Sequence, residues 1–326
     1  MHKFSTILLK RIFTSLITLF LLAVLIFILL RISPGDPVQK FISPKLNPQL
    51  VEEIKKTFLL DKSIEEQFLV FLKNIFTGDF GISYNYRLHV TSVIADALKF
   101  TIPFASTCFI IQIIAALGLL FNIYKKRGSL LDRVINKVTL ILYSFPSIII
   151  ALVLILLFAL VLNIFPSADL VSINYSNLNP IEKIIDLISH LVLPVITLSL
   201  PGTIVFYSYL RHNIDIVYQQ NFILFLQASG VEEKTIFKNH VLPNSIRPVI
   251  SLLGNEFGVL LGGALITETI FSLPGMGRLT VNAILTRDYP LVMGCAIFSG
   301  VMILLANLVV DLYKIKTDGR MLSVNL

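Results

Sequence analysis

The chain has 326 residues, of which 55% are hydrophobic and only 14% are charged. Soluble domains carry about 25% charged residues, so the composition excludes an ordinary soluble protein and favours the lipid bilayer as solvent. The net charge of +7 does not indicate a nucleic-acid partner, because the basic residues flank apolar runs instead of forming a stripe. Cys108 and Cys295 lie inside apolar runs and are interpreted as small buried hydrophobic residues.

The first apolar run, residues 12–30, is long enough to cross a bilayer. Lys3, Lys10 and Arg11 precede it, as in a secretory signal, yet no small residues follow at the spacing of a cleavage site. Residues 1–30 are therefore predicted to form an uncleaved signal anchor, a transmembrane helix whose N-terminus lies in the cytoplasm.

Residues 31–98 form a long polar region with helix signals. Asn47 and Pro48 are typical of a helix start. Ser63 and Glu66 have the spacing of a capping box before an apolar run, and Gly78-Asp79-Phe80-Gly81 ends that run. We expect a small helical extracytoplasmic segment, one that could lie on the membrane surface.

Five further apolar runs predict five more spans and hence an all-α membrane protein with six transmembrane helices. These runs are residues 100–124, 138–162, 191–210, 248–267 and 289–310. Pro146 lies inside the third run. Residues 99–326 are thus expected to form a five-helix core domain.

Basic residues are distributed unequally between the two sides of the predicted bundle. One side holds the Lys125 cluster, the segment 211–247 and the basic C-terminal tail, whereas the short loops of the other side hold only Lys183, Arg278 and Arg287. By the positive-inside rule, both termini and the segment 211–247 lie in the cytoplasm.

The segment 211–247 is polar and patterned, unlike any other part of the chain. Residues 222–228 are apolar, and Gly230 follows as a glycine does at a helix C-terminus. Glu232 and Glu233 favour the start of a second helix, and Pro243 is expected to end it. A helix, a glycine turn, a helix and a proline stop on the face of a membrane protein predict a docking surface for another protein.

Motifs that would carry chemistry are missing from the sequence. The stretch Gly275-Met276-Gly277-Arg278 lacks the Lys and Ser/Thr of a phosphate-binding loop. The five histidines do not have metal-ligand spacing, and no GxSxG nucleophile motif occurs. We therefore predict no catalytic residue, no metal site and no cofactor, and a chain that is not an enzyme.

Glu256 is the one acid well inside a predicted span, and two interpretations are open for it. It lines a substrate or proton pathway, or it reaches water or a basic partner such as Arg247. Around it, Gly254, Gly258 and Gly262 line one helix face and allow another backbone to approach closely. That face either packs within the chain or forms a seam against a second membrane subunit.

The segment 211–247 carries a resemblance to a known family. In permeases of ABC importers, a cytoplasmic loop has the pattern EAA-x3-G-x9-I-x-LP. Gly230 stands at its glycine and Leu242-Pro243 at its end, while His240 takes the isoleucine position and residues 224–226 depart from its acidic-Ala-Ala part. The chain resembles the permeases of the dipeptide, oligopeptide and nickel group.

Four other stretches, in order along the chain, support the same resemblance. They are residues 33–37 (SPGDP), 78–84 (GDFGISY), 268–290 (ETIFSLPGMGR, ending in RDYP) and 307–320, where DGR stands in place of the usual DPR. The resemblance implies the six-helix fold of type I ABC importer permeases in a bacterial plasma membrane.

The resemblance also implies partners and a mechanism. A second homologous permease subunit, two ATP-binding ATPase subunits and an extracytoplasmic substrate-binding lipoprotein would complete the importer, which works by alternating access. Its cargo would be dipeptides, oligopeptides or nickel complexes. The coupling residues implied are Phe222, Phe225, Leu226, Ala228, Gly230, Leu242 and Pro243.

Other interpretations of the sequence compete with this one. An ion- or proton-coupled secondary transporter would need several charges within its spans, and only Glu256 fits. A membrane-embedded enzyme would need the missing catalytic motifs. The apolar patch at 222–228 could also lie flat on lipid instead of in an ATPase.

Overall fold

Helices are the only regular elements in the part of the chain that this computed structural model describes, residues 2–32, 62–124 and 129–317. In chain order they are α1 (His2–Ile32), α2 (Ile64–Thr77), α3 (Val90–Tyr124), α4 (Leu130–Tyr143), α5 (Ser147–Leu154), α6 (Pro180–Tyr218), α7 (Asn221–Ala228), α8 (Glu233–Ile236), α9 (Leu242–Leu261), α10 (Leu265–Ile270), α11 (Met276–Leu285) and α12 (Tyr289–Thr317). Wider π-helical turns follow α5 (Ile155–Val161) and α8 (Phe237–Val241), and a 3₁₀ turn covers Tyr175–Asn177.

Five helical segments of the described ranges are long and apolar enough to cross a membrane. They are Leu9–Leu29, Val90–Phe121, Pro180–Tyr218, Glu233–Ile270 and Tyr289–Tyr313. A sixth span results if the bent pair Leu130–Tyr143 and Ser147–Val161 crosses as one. The predicted all-α membrane fold is confirmed.

The third predicted span, residues 138–162, is wrong as a continuous helix. α4 and α5 meet at an angle of 102° across the break at residues 144–146. Pro146 causes this break, because it has no N–H for the helical ladder and disfavours helical geometry in the residue before it. α4 begins at Leu130, eight residues before the predicted run, where the Ser129 side chain caps its first turn.

The helices α3 and α6 are longer than the apolar runs that predicted them. α3 begins at Val90, inside the range assigned to the extracytoplasmic segment. α6 begins at Pro180, because the Asn179 side chain accepts hydrogen bonds from the Ile181 and Glu182 N–H groups. Polar caps of this kind extend a helix beyond the stretch that hydrocarbon requires.

The described helices pack as a bundle in which α3 lies against α6 and α9 lies against α12. α1 packs on α12, and the apolar cluster between them includes Ala23, Ile26 and Ile297. α2 adds Phe71, Leu72 and Ile75 to that cluster. α2 starts and ends where the sequence predicts, with Ser63 capping the Glu66 N–H and Gly78 in the left-handed conformation (φ 72°). The helix start predicted at Asn47 lies outside the described residues.

Candidate coupling site

The coupling segment, defined here as residues 219–243, joins two long helices. The predicted segment began at Arg211, but residues 211–218 belong to α6. The predicted stop at Pro243 is also wrong, because α8 continues through the π turn into α9 and Pro243 lies in the first turn of α9. The Leu242 N–H bonds to the Phe237 carbonyl, five residues back, and this wider turn accommodates a proline inside a continuous helical segment.

A single buried residue seats α7 on the bundle. Ile223 is fully buried and belongs to an apolar cluster with Ile214 of α6 and Ile236 of α8. Leu226 and Leu242 are half-buried against the same cluster. Leu226, one of the coupling residues that the resemblance implies, is therefore less accessible to a partner than Phe222 and Phe225. A short helix has little stability of its own, so part of its apolar side must pack against the protein and hold it in place.

The outer face of α7 is apolar and open to solvent. Phe225 is 71% exposed, Leu224 54% and Phe222 44%, and Ala228 beyond them is exposed too. Sequence reasoning selected Phe222 and Phe225 but missed Leu224. The missed signal is that Ile223 must face inward, which turns both of its apolar neighbours outward. Contiguous exposed apolar residues beside polar ones are typical of a site for another molecule.

Gly230 forms the turn between α7 and α8, as predicted. Its φ is +75°, and a Cβ built there would have no atom within 4 Å. Its N–H bonds to the Gln227 carbonyl at 3.0 Å, and the Val231 N–H bonds to the Leu226 carbonyl at 3.1 Å. Glycine is required here by backbone conformation and not by space.

Polar side chains tie the two arms of the coupling segment together. The Tyr218 hydroxyl donates to the Glu233 carboxylate at 2.7 Å, and the Gln227 side-chain amide donates to its other oxygen at 3.5 Å. Pro243 is exposed at the far end of the segment. Because Glu233 contacts the end of α6 and also α7, the segment is held as one unit.

A buried ion pair lies beside the cluster that seats α7. Both Arg211 guanidinium NH2 groups bond the Asp132 carboxylate, one of them at 3.0 Å, and this joins α6 to the first turn of α4. Arg211 also donates to Tyr207 at 3.1 Å, and the Tyr207 hydroxyl donates to Asn136 at 3.2 Å. Asp132 was not selected from the sequence, although an acid and a base near the ends of two apolar helices were a usable signal.

The glycine face of α9 packs against α12 of the same chain. A Cβ on Gly258 would lie 2.9 Å from the Ile303 Cα, and one on Gly262 would lie 3.3 Å from the Ser299 Cβ. Ser299 also donates to the Gly262 carbonyl at 2.8 Å. A Cβ on Gly254 would collide with Val310. This arrangement is the packing alternative, and it leaves no room on this face for a helix of another subunit.

Glu256 is half-buried on the same helix. Arg247, offered above as its partner, lies nine residues earlier, which is about 13.5 Å along the axis. No hydrogen bond or ion pair joins Glu256 to another residue of the described ranges.

Two buried carboxyl groups at the other end of the bundle were missed as site residues. Glu268 accepts hydrogen bonds from the Gly277 N–H (2.6 Å), the Arg278 N–H (3.2 Å) and the Thr101 hydroxyl (3.1 Å). Asp288 accepts from the Ser83 hydroxyl (2.5 Å) and the Asn85 N–H (3.0 Å). The Asp288 contacts join two of the stretches on which the resemblance rests, residues 78–84 and 268–290. Neither carboxyl group belongs to a group of three potential metal ligands among the described residues.

Comparisons with known proteins bear on the whole chain. The family model described as binding-protein-dependent transport system inner membrane component matches residues 113–321, and the model of the N-terminal part of such components matches residues 1–105.

Individual relatives align over nearly the full length. A putative peptide permease protein of Brucella suis is 30% identical, with 96% of this chain and 97% of the relative covered. A probable peptide ABC transporter permease protein of Sinorhizobium fredii is 28% identical with the same coverage. A glutathione transport system permease protein of Escherichia coli is 29% identical, with 93% and 94% covered. The chain therefore belongs to the binding-protein-dependent transport system inner membrane components, as a multi-pass permease subunit of an ABC importer of the peptide and oligopeptide group.

Proposed function

We propose that this permease subunit moves peptides across the plasma membrane when separate ATPase subunits pull on its coupling segment. The observation that carries the proposal is the exposed face of Phe222, Leu224 and Phe225 on a helix anchored by the buried Ile223. An apolar face held rigidly at the end of a span is suited to insertion in a cleft of a partner protein.

The complete importer would hold a second homologous permease subunit, two ATPase subunits and an extracytoplasmic lipoprotein that delivers the cargo. Both termini and the coupling segment would face the cytoplasm, in line with the Lys and Arg distribution. Residues 1–30 would act as the anchor, 31–98 as the extracytoplasmic segment and 99–326 as the permease core, with α3 starting before that boundary.

The contacts around α7 suggest how its displacement would reach the membrane. Ile223 packs on Ile214, so a force on α7 acts first on α6. The Arg211–Asp132 pair then links α6 to α4. Through Ile236 and the π turn the same force acts on α9. Two spans and the bent pair would turn together and alternate the access of a central pathway.

The cargo we propose is a short peptide, including glutathione, because the relatives' names specify peptide and glutathione transport. A nickel complex is the alternative within the resemblance. Uptake of labelled dipeptide, oligopeptide, glutathione and nickel, compared between the wild type and a strain lacking this gene, distinguishes these cargoes.

Phe225→Asp tests the coupling proposal. A charge in the centre of a desolvated apolar contact costs at least about 2 kcal/mol, so peptide-stimulated ATP hydrolysis is expected to fall more than about tenfold. The readouts are ATPase co-purification and hydrolysis per peptide transported.

Ile181→Asp is the matched control, since Ile181 is also 71% exposed but lies at the opposite end of α6. It is expected to retain the ATPase subunits. Retention of coupled hydrolysis by Phe225→Asp, with normal membrane levels of both variants, would contradict the proposal.

A further inference from the structure

We propose that one side of α9 lines the water-filled path of the cargo, and that the Glu256 carboxylate binds the α-ammonium group of a peptide there. This side is defined by Ser251, Asn255 and Glu256 and is called the polar stripe below. The identity of the ligand rests on the peptide transport proposed above. The exposure of the stripe to water within the membrane does not depend on that cargo.

Three neighbouring helices cover about half of the circumference of α9, at 3.6 residues per turn. Gly258 packs on α12, where a Cβ would lie 2.9 Å from the Ile303 Cα. Val249 belongs to the apolar cluster shared with α6, and the Phe257 ring lies 4.8 Å from the Phe109 ring of α3. The other half of the circumference is left for a partner outside these three helices.

That other half carries polar side chains at the depth of the hydrocarbon. Ser251 and Asn255 are exposed there, one turn apart, and the half-buried Glu256 lies at its edge, next to the side of Val249. Asn255 lies seven residues beyond Pro248, where the apolar run begins, which is about 10.5 Å along the helix. Within the described ranges, no hydrogen bond or ion pair joins the side chains of the polar stripe to another residue.

The exposed face of α3 at the same depth is apolar. Because the Phe109 and Phe257 rings are in contact, Ile110 of α3 lies at the level of Glu256, and both Ile110 and Ile114 are exposed. Isoleucine side chains are suited to lipid. An amide and a carboxyl group are not, because hydrocarbon offers them no hydrogen-bonding partner. The polar stripe is therefore assigned to water and not to lipid.

A peptide supplies the groups that the polar stripe lacks. Its α-ammonium group is a donor for the Glu256 carboxylate, and its backbone N–H and C=O groups match the donors and the acceptor of the Asn255 amide. Arg247, the nearest cation of α9 on the cytoplasmic side, lies about 13.5 Å from Glu256 along the axis. A cation that arrives with the cargo can also leave with it, as transport requires.

Thiol modification tests whether the polar stripe faces water. Ser251→Cys and Asn255→Cys are introduced singly into the full importer, and Ile110→Cys is the control at matched depth. Cys108 and Cys295 are fully buried, so the wild-type chain gives the background. Membrane-impermeant methanethiosulfonate reagents, one cationic and one anionic, are applied to intact cells and to inside-out vesicles.

Both stripe cysteines are expected to react at least about tenfold faster than Ile110→Cys, because the reactive thiolate forms in water and not in hydrocarbon. Rates no faster than that of Ile110→Cys would overturn the proposal, and this side of α9 would then be assigned to a contact with a second subunit.

The charge preference of the same reaction tests Glu256. At Asn255→Cys, the cationic reagent should react faster than the anionic one, after correction for their rates with a free thiol. Adding Glu256→Gln should lower this preference at least about threefold, because the negative charge next to the thiol is removed. An unchanged preference would overturn the role of the carboxylate.

Uptake of a labelled dipeptide tests the ligand. Glu256→Gln is expected to lower uptake at least about tenfold at an unchanged membrane level, whereas Glu256→Asp should retain most of it. Wild-type uptake by Glu256→Gln would overturn the peptide ammonium group as the ligand. A wild-type importer that takes up no dipeptide would instead refute the cargo proposed above, and the thiol rates would still decide whether the stripe faces water.

Discussion

The two ends of this bundle use glycine for different reasons. At Gly230 in the coupling segment, a Cβ would meet nothing within 4 Å, and only the positive φ demands glycine. At Gly277, at the start of α11, a Cβ would lie 2.6 Å from the Leu265 backbone nitrogen. At Gly230 the turn has free space and needs glycine only for its positive φ. At Gly277 two backbone segments cross closely, and a side chain has no room.

The polar contacts differ in the same way. In the coupling segment, α7 is anchored by one buried apolar residue, Ile223, and exposes three large apolar side chains. The opposite end buries the carboxyl groups of Glu268 and Asp288 completely and satisfies them with backbone and hydroxyl donors. If a moving partner contacts α7 as proposed, this end needs an accessible face. At the opposite end, called the closed end here, the carboxyl groups of Glu268 and Asp288 are buried and need internal donors.

The largest effect is expected at the closed end, from Glu268→Leu. This change leaves the Gly277 and Arg278 N–H groups and the Thr101 hydroxyl without their acceptor in a buried site. Each unsatisfied group costs about 1–3 kcal/mol, so a loss of about 3 kcal/mol or more in the free energy of unfolding is expected. Thermal unfolding of the purified chain in detergent measures it.

Glu256→Leu is the control for that variant. Glu256 is also an acid in the same helical segment, but it has no ion pair or hydrogen bond within the described ranges. Its replacement should change the free energy of unfolding by less than about 1 kcal/mol. Equal losses in the two variants would show that the hydrogen bonds of Glu268 do not carry its effect.

These contrasts also show which features were predictable from the sequence. Apolar runs located the helices, because any segment that crosses hydrocarbon must be helical and apolar. The same rule does not show which face of a helix packs inside the protein, since lipid and protein core are equally apolar. The sequence therefore did not distinguish the half-buried Leu226 from the exposed Phe225. Glu268 and Asp288 were missed because their partners Thr101 and Ser83 are distant along the chain.

A second prediction concerns the Asp132–Arg211 pair. This pair is mostly buried, like the carboxyl groups of the closed end, but it lies beside the apolar cluster that seats α7. Asp132→Leu leaves the Arg211 guanidinium without its carboxylate in a mostly buried site. The expected loss is about 3 kcal/mol in the free energy of unfolding, the lower end for a broken buried pair, because the Arg211 side chain is 21% exposed. Thermal unfolding again gives the measurement.

The double variant Asp132→Leu/Arg211→Leu separates stability from coupling. An apolar pair of similar volume should recover most of the lost stability. If the ion pair also transmits movement from α6 to α4, the double variant will still hydrolyse more ATP per peptide transported than the wild type. A stable double variant with the wild-type ratio would assign the pair a purely structural role.

A smaller loss of stability than for the Glu268 and Asp132 variants, and the sharpest contrast with the closed end, is expected for Gly230→Ala. The new Cβ meets no neighbour, so the cost is only that of placing a non-glycine residue at φ +75°, about 1 kcal/mol. Gly277→Ala should cost more, because its Cβ would collide with backbone that cannot rotate away. Gly230→Val adds β-branching to the same φ and should increase the cost, whereas Gly230→Asn should be tolerated.

If the turn couples α7 to α8, the three variants will transport different amounts of peptide per ATP while the ATPase subunits remain bound. The ratio will be highest for Gly230→Asn, lower for Gly230→Ala and lowest for Gly230→Val. An identical transport ratio in all three variants would mean that the partner holds α7 through its exposed face alone, and that the geometry of the turn does not enter the coupling.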